Sequence, residues 1–227
     1  KRNHSMIDLS DIEDANLKVM MGAEKKSRII TENERRLTAY HEAGHAVLTK
    51  LVGKNSTVHK VSIIPRGRAG GFTMSTPDED NIYASKNEML DQIIIMLAGR
   101  AAEELTMDDI STGASNDIER ATNIARQMVK KYGMSDIIGP VSYDEGGEVF
   151  IGRDFGHSKN YSEKTAAEID DEVRNILIKQ YNRTKELLEG HMDILKKLAE
   201  LLLEKETVNG SEFESLFETE KEIKEEI

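Results

Sequence analysis

The chain has no cysteine among its 227 residues, only 3 prolines, and an aromatic content of 5%. Without cysteine there is no disulfide and no thiolate zinc site, so any zinc must be held by histidine and carboxylate. Scarce proline and aromatics, beside abundant Ala, Leu, Ile, Glu and Lys, predict a mainly α chain: a helical bundle with one small β-sheet. Positive charge is also short, with 31 Lys and Arg against 42 Asp and Glu and a net charge of -11. That balance speaks against nucleic acid as a partner, because binding its backbone needs clustered cations. No run of 18 apolar residues occurs, and the charged N-terminus has no apolar signal core, so the chain as given is expected to be soluble. Its length suits one large domain or two small ones.

What is present is more specific. Tyr40-His41-Glu42-Ala43-Gly44-His45-Ala46 spells H-E-x-x-H. In a helix, residues four apart share a face, so both imidazoles can reach one metal ion, while Glu42 is turned off that line and suits a base beside the metal. Hydrolytic zinc needs this set: nitrogen ligands, an open position for water, and a group to take the proton. The alternative is an ordinary amphipathic helix with two solvated or packed histidines. Context favours the metal. Thr31 and Glu34 form a T-x-x-E capping box about ten residues upstream. Ala39, Ala43, Ala46, Val47 and Leu51 continue an apolar stripe at helical spacing. Gly44, a poor helix former, leaves room for a second segment to approach closely.

The remaining elements follow from punctuation. Ser10 is expected to cap a short helix running to about residue 20. The motif helix should span about 32–53 and stop at Gly53 in a left-handed conformation. Strands are expected at 58–64, ended by Pro65, and at 72–76, ended by Pro77, with a Gly-rich turn between them. A Ser85/Glu88 box opens a helix to Leu105, and another runs from about 116 to 132, closed by Gly133. Val141-Ser142-Tyr143 and Val149-Phe150-Ile151 suggest a hairpin or ordered loop. Long helices should cover 162–189 and 191–205, with a short one starting at a Ser211/Glu214 box. Gly53-Lys54-Asn55 superficially resembles a P-loop, but it has neither the upstream glycine nor a following Ser or Thr, so no ATP site is expected.

Two histidines leave a catalytic zinc one protein ligand short. His4, His59, His157 and His191 have no partner pattern, and a third histidine six residues after His45 is ruled out by Leu51. A carboxylate is the better candidate. Asp117 opens a helix after a Gly/Ser loop, where the helix dipole alone would favour an acid; Glu103 and Glu104 sit near a helix C-terminus, where acids are disfavoured. Spacing leaves the choice open.

Four motifs in order resemble the FtsH family of ATP-dependent, membrane-anchored zinc proteases. They are Thr38-Ala39-Tyr40-His41-Glu42-Ala43-Gly44-His45-Ala46, Val61-Ser62-Ile63-Ile64-Pro65-Arg66-Gly67, Gly99-Arg100-Ala101-Ala102-Glu103-Glu104 and Ser111-Thr112-Gly113-Ala114-Ser115-Asn116-Asp117. The similarity runs from about Val19 to Thr207. It implies zinc, one per chain, on His41, His45 and Asp117, Glu42 as general base, and Glu103 as a group that holds a ligand in place. It implies that residues 1–22 end a preceding ATPase lid region, that 23–219 form the protease domain, and that 220–227 are a charged, disordered tail. It further implies a homo-hexamer whose full-length form carries an AAA+ ATPase module, where ATP binds, and membrane segments that place it on the cytoplasmic face of a bacterial inner membrane or an organellar equivalent. One departure is Thr106-Met107-Asp108-Asp109, shorter and more acidic than the glycine-containing connection of the family.

The expected activity is zinc-dependent endopeptidase cleavage of unfolded or membrane polypeptides in extended form. Such a substrate is well held by adding to a sheet edge, and Gly71, Phe72, Thr73 and Met74 are the expected substrate-binding positions. The rival from another class is a catalytically silent hexamerisation or scaffold domain, disfavoured by Glu42, since a scaffold needs no base. A metallo-aminopeptidase is a rival among enzymes, and would fail on peptides with a blocked N-terminus.

Overall fold

A computed structural model describes residues 9–25, 30–54, 56–67, 69–77, 82–143 and 161–225. Among them are seven α-helices: α1 (Leu9–Met21), α2 (Glu32–Val52), α3 (Lys86–Met107), α4 (Ser115–Lys130), α5 (Glu163–Glu189), α6 (Met192–Lys205) and α7 (Gly210–Glu225). Three strands, β1 (Ser56–Ser62), β2 (Phe72–Pro77) and β3 (Thr207–Asn209), form one antiparallel sheet in the order β2-β1-β3. The mainly α bundle with a small sheet is therefore observed. No described helix is long and apolar enough to cross a membrane.

α2 and α3 begin where their side chains dictate. Thr31 accepts the Glu34 N–H while Glu34 accepts the Thr31 N–H, and Ser85 and Glu88 do the same for α3. Each box satisfies two amide donors that would otherwise be orphaned. In β1, a bulge between Val58 and Lys60 adds one residue and breaks strict alternation. Val58 and Val61, three apart, consequently both point into the core.

The helix α3 lies at the centre. On one side, Ala98, Ala101 and Ala102 join a core made with α2, α6 and the sheet; on the other, Met89, Ile93 and Leu97 pack with α4 and α5. The contact between α2 and α3 is the tighter. A Cβ at Gly44 would lie 2.7 Å from the Ala98 carbonyl oxygen and 2.8 Å from the Ala102 Cβ. No side chain fits there, as the expected close approach requires.

Several expectations needed correction. Gly53 ends α2 with φ -73° and not in the left-handed region; its N–H closes the last turn on Thr49. The first strand lies two residues earlier than expected, because beyond Ser62 the chain is held irregularly, with the Ile63 N–H on the Glu206 carbonyl and the Ile64 N–H on the Ser62 hydroxyl. α3 continues past Leu105 to Met107, and Asp108, at φ 53°, takes the left-handed position a glycine usually fills. α1 already includes Ser10. The Ser211/Glu214 box does not open α7: the chain turns from β3 straight into the helix at Gly210, with the Asn209 N–H on Glu212. β3 has no counterpart among the expected strands, because three residues are too short for a periodic signal. Of the two alternatives for Val141-Ser142-Tyr143, the loop is found: it is tied to the end of α4 by the Tyr143 N–H on the Lys130 carbonyl, while Val149-Phe150-Ile151 lies outside the described residues.

Gly44→Ala is predicted to lower the unfolding free energy by about 1–3 kcal/mol, the usual cost of overpacking, despite the better helix propensity of alanine. Urea denaturation monitored by circular dichroism checks this; an unchanged or raised midpoint would contradict the tight α2–α3 contact.

Candidate metal centre

The capping box at Thr31 fixes where α2 starts, and the helix carries His41 and His45 one turn apart on the face toward α3 and α4. Their Nε2 atoms are 3.1 Å apart. Asp117, in the first turn of α4, places Oδ2 at 3.4 Å from His41 Nε2 and 3.5 Å from His45 Nε2. Two ligands of a tetrahedral zinc with bonds near 2.0–2.1 Å are separated by about 3.3–3.4 Å. The three separations match that spacing, and no other group of three or more His, Asp or Glu among the described residues is assembled in this way. Nitrogen and oxygen donors with no sulfur also suit zinc in a cysteine-free chain.

Each imidazole is oriented from behind. His45 Nδ1 lies 2.8 Å from the Ile95 carbonyl oxygen, so Nδ1 carries the hydrogen and donates. His41 Nδ1 donates to Glu103 Oε1 at 2.6 Å. Both arrangements leave the Nε2 atoms to face the common point. Glu103 is fully buried, and its second oxygen accepts the Ser111 N–H at 2.7 Å. One carboxylate thus ties a histidine of α2 to the loop that delivers Asp117. Beneath the His41 ring lies Gly99, where a Cβ would sit 2.4–2.6 Å from three ring atoms. Nothing in the sequence assigns these roles to Gly99 and Ile95. A backbone carbonyl leaves no residue-type signal, and the purpose of Gly99 is visible only when α3 is docked on α2.

Glu42 is buried beside this cluster, and its carboxylate accepts the Thr73 hydroxyl at 2.9 Å. Thr73 also reaches the main-chain carbonyl of Glu42, at 3.1 Å. Gly71 lets β2 begin this close: a Cβ there would meet Glu42 Cγ at 2.8 Å and Thr38 Cγ2 at 2.9 Å. Of the other positions expected along this strand, Phe72 is buried and Met74 is half-buried. β2 is at the edge of the sheet, paired on one side with β1.

The electrostatics follow from burial and partners. Burial would lower His41, but hydrogen bonds to Asp117 and Glu103, with the Glu42 charge, outweigh it and hold the group up at about 10. Burial would raise Asp117, yet its two imidazole partners hold it well below the ordinary carboxylate range. Glu103 is likewise lowered: its burial is outweighed by His41 and the Ser111 N–H. In Glu42 the balance is reversed, and burial raises it despite both histidines and Thr73. The site contains one carboxylate with enhanced proton affinity beside others held ionised.

Near pH 8, above the ordinary histidine value of 6.5 and below about 10, metal-free His41 is protonated. A cation must displace the Nε2 proton facing Asp117, so zinc uptake is predicted to release about one proton per ion near pH 8, and less as pH rises past 10. Calorimetric titration in buffers of different ionisation enthalpy measures this; no release at pH 8 would contradict the assignment.

The profile of Peptidase family M41 matches residues 28–216. The ATP-dependent zinc metalloprotease FtsH 1 of Thermoanaerobacter sp. (strain X514) is 52% identical over 218 residues, covering 96% of this chain and 36% of its own length. The ATP-dependent zinc metalloprotease FtsH of Caldicellulosiruptor bescii is 50% identical over 217 residues, covering 95% and 35%, and that of Bacillus subtilis (strain 168) is 44% identical over 220 residues, covering 96% and 34%. The chain spans about a third of the length of these relatives. On the profile match and these identities, the chain belongs to peptidase family M41.

Proposed function

We propose that this chain is a zinc-dependent endopeptidase domain that cleaves unfolded or membrane polypeptides in extended form. In the full-length protein it would be fed by an AAA+ ATPase module, assemble as a homo-hexamer, and be anchored to the membrane through segments outside this chain. The observation that carries the reading is the convergence of His41 Nε2, His45 Nε2 and Asp117 Oδ2 on one point, with the buried Glu42 carboxylate beside it.

His41, His45 and Asp117 would hold zinc, which when bound supplies Lewis acidity to activate water and polarise the scissile carbonyl. Glu42 accepts the proton of the attacking water and passes it to the leaving amine. Its raised proton affinity makes it a stronger base toward the attacking water than an ordinary carboxylate, and keeps the proton on it until the amine leaves. Thr73 holds the Glu42 carboxylate in place, and Glu103 positions His41. Among the described residues β2 pairs on one side only, so a substrate strand added along its other edge at Thr73 would bring its backbone alongside Glu42.

Glu42→Gln is predicted to abolish peptide cleavage while zinc stays near one per chain, measured by a fluorogenic peptide and metal analysis together. More than a few per cent residual activity would remove Glu42 as the base.

Asp117→Asn is predicted to weaken zinc binding more than Glu103→Gln does. The first alters a metal donor; the second loosens His41 only, within the roughly 10–100-fold range of such supporting groups. Competition with a chromogenic chelator measures both, and the opposite order would reverse the two roles.

The Thr73 hydrogen bond lowers Glu42, so removing it raises the proton affinity further. Thr73→Val should therefore move the acidic limb of the kcat/KM profile to higher pH, while Thr73→Ser restores it. An unmoved limb would show that Thr73 does not act on Glu42.

A further inference from the structure

Away from the metal centre, a cleft of about 400 Å³ opens where α2 and β2 end and α3 begins. Val52, Pro77, Tyr83 and Ile95 give it apolar walls, and Lys54, Glu88 and Asp91 are its charged groups. The two acids differ. Glu88 is committed to the capping box, accepting the Ser85 N–H at 2.6 Å. Asp91 is half-buried, and its carboxylate has no hydrogen bond or ion pair to the side chain of any described residue. Burial raises its carboxyl, with the exposed Lys54 charge opposing. Among the described residues, two acids against one lysine give its lining a negative balance.

Two elements, α3 and β2, run from the cleft to the proposed active site. On α3, Asp91, Ile95, Gly99 and Glu103 follow at four-residue intervals, so that each lies beside the next along the helix. Ile95 both lines the cleft and, through its carbonyl, orients His45; Gly99 seats His41. Asp91 is eight residues from Gly99, about 12 Å along a helix. On β2, Thr73 touches Glu42 and Pro77 borders the cleft, four steps or about 13 Å along a strand. An extended substrate advances about 3.3 Å per residue, so either distance amounts to three or four residues.

Resting on the protease reading above, we infer that this cleft is a distal specificity subsite. It takes a lysine or arginine side chain three to four residues from the scissile bond, on the side toward the end of β2. The apolar walls receive the methylene stem and Asp91 meets the cationic end, the arrangement that long basic side chains favour. The worth is that of a partly exposed ion pair, about two- to fivefold in kcat/KM, and it weakens in high salt.

The test uses the zinc-loaded chain and quenched fluorescent peptides that are identical except for Lys, Ala or Glu at positions three and four on each side of the cleaved bond. On one side, Lys should exceed Glu by about two- to fivefold. Asp91→Asn should remove that preference, and Asp91→Lys should invert it, with turnover of the Ala peptide within twofold of the parent and unchanged circular dichroism. No Lys-over-Glu preference on either side, or a preference that survives Asp91→Lys, overturns the subsite. Failure to cleave any peptide would count against the protease reading instead. In that case the same peptides are bound to the Glu42→Gln variant and followed by fluorescence anisotropy. Tighter binding of the Lys peptide that is lost in Glu42→Gln combined with Asp91→Asn upholds the subsite, and equal binding of Lys and Glu peptides overturns it.

Discussion

The close approach of α2 to α3 is the constraint on which the site depends. Gly44 lets the α3 backbone come within contact distance at Ala98 and Ala102, and Gly99 gives the His41 ring a place to lie. Only at that separation can the Ile95 carbonyl reach His45 and the Glu103 carboxylate reach His41. Two glycines within helices cost about 1 kcal/mol each in propensity. The cost is tolerated because the resulting contact packs two helices and orients two imidazoles at once. The convergence of His41, His45 and Asp117 and the helix packing are therefore coupled, and a change that spreads the helices would loosen both.

Glu103 extends this coupling to the third donor. It is fully buried, and its two oxygens divide between His41 on α2 and the Ser111 amide in the loop before α4. Burying a carboxylate is costly unless each lone pair finds a partner, and both oxygens do. The loop it grips leads through a short 3-10 turn at Thr112–Ala114 into α4, where Asp117 sits in the first turn. A negative charge is well placed there against the helix dipole, and also against two imidazoles. Among the carboxylates of the site, Glu42 alone has its proton affinity raised. The contrast comes from partners: Glu103 and Asp117 are held by imidazoles at hydrogen-bond or ion-pair distance, whereas Glu42 has one hydroxyl and deep burial.

Much of this was legible in the sequence because it is local. Capping boxes at Thr31 and Ser85, the four-residue spacing of His41 and His45, and the small residue at Gly44 are all read within one helix. The pairing of Asp117 with those histidines is not local. Periodicity left Asp117, Glu103 and Glu104 open, and the likeness to a known family, not the spacing, singled out Asp117. Glu104 turns away altogether, hydrogen-bonded to Tyr181 and Lys185 of α5. Contributions made through the backbone, such as the Ile95 carbonyl, leave no mark on residue type. Short or irregular pieces failed for a related reason. β3 has three residues, and the end of α3 at Asp108 takes a left-handed conformation that no glycine announces.

The central claim is that His41, His45 and Asp117 meet at one zinc ion, with Glu103 behind His41. A crystal of the zinc-loaded protein, with anomalous differences collected on both sides of the zinc absorption edge, tests it most directly. The account predicts one edge-dependent peak per chain, about 2.0–2.2 Å from His41 Nε2, His45 Nε2 and an Asp117 oxygen, with the Glu103 carboxylate still on His41 Nδ1. A peak coordinated by Glu103, or a peak that leaves Asp117 out of its shell, would contradict it.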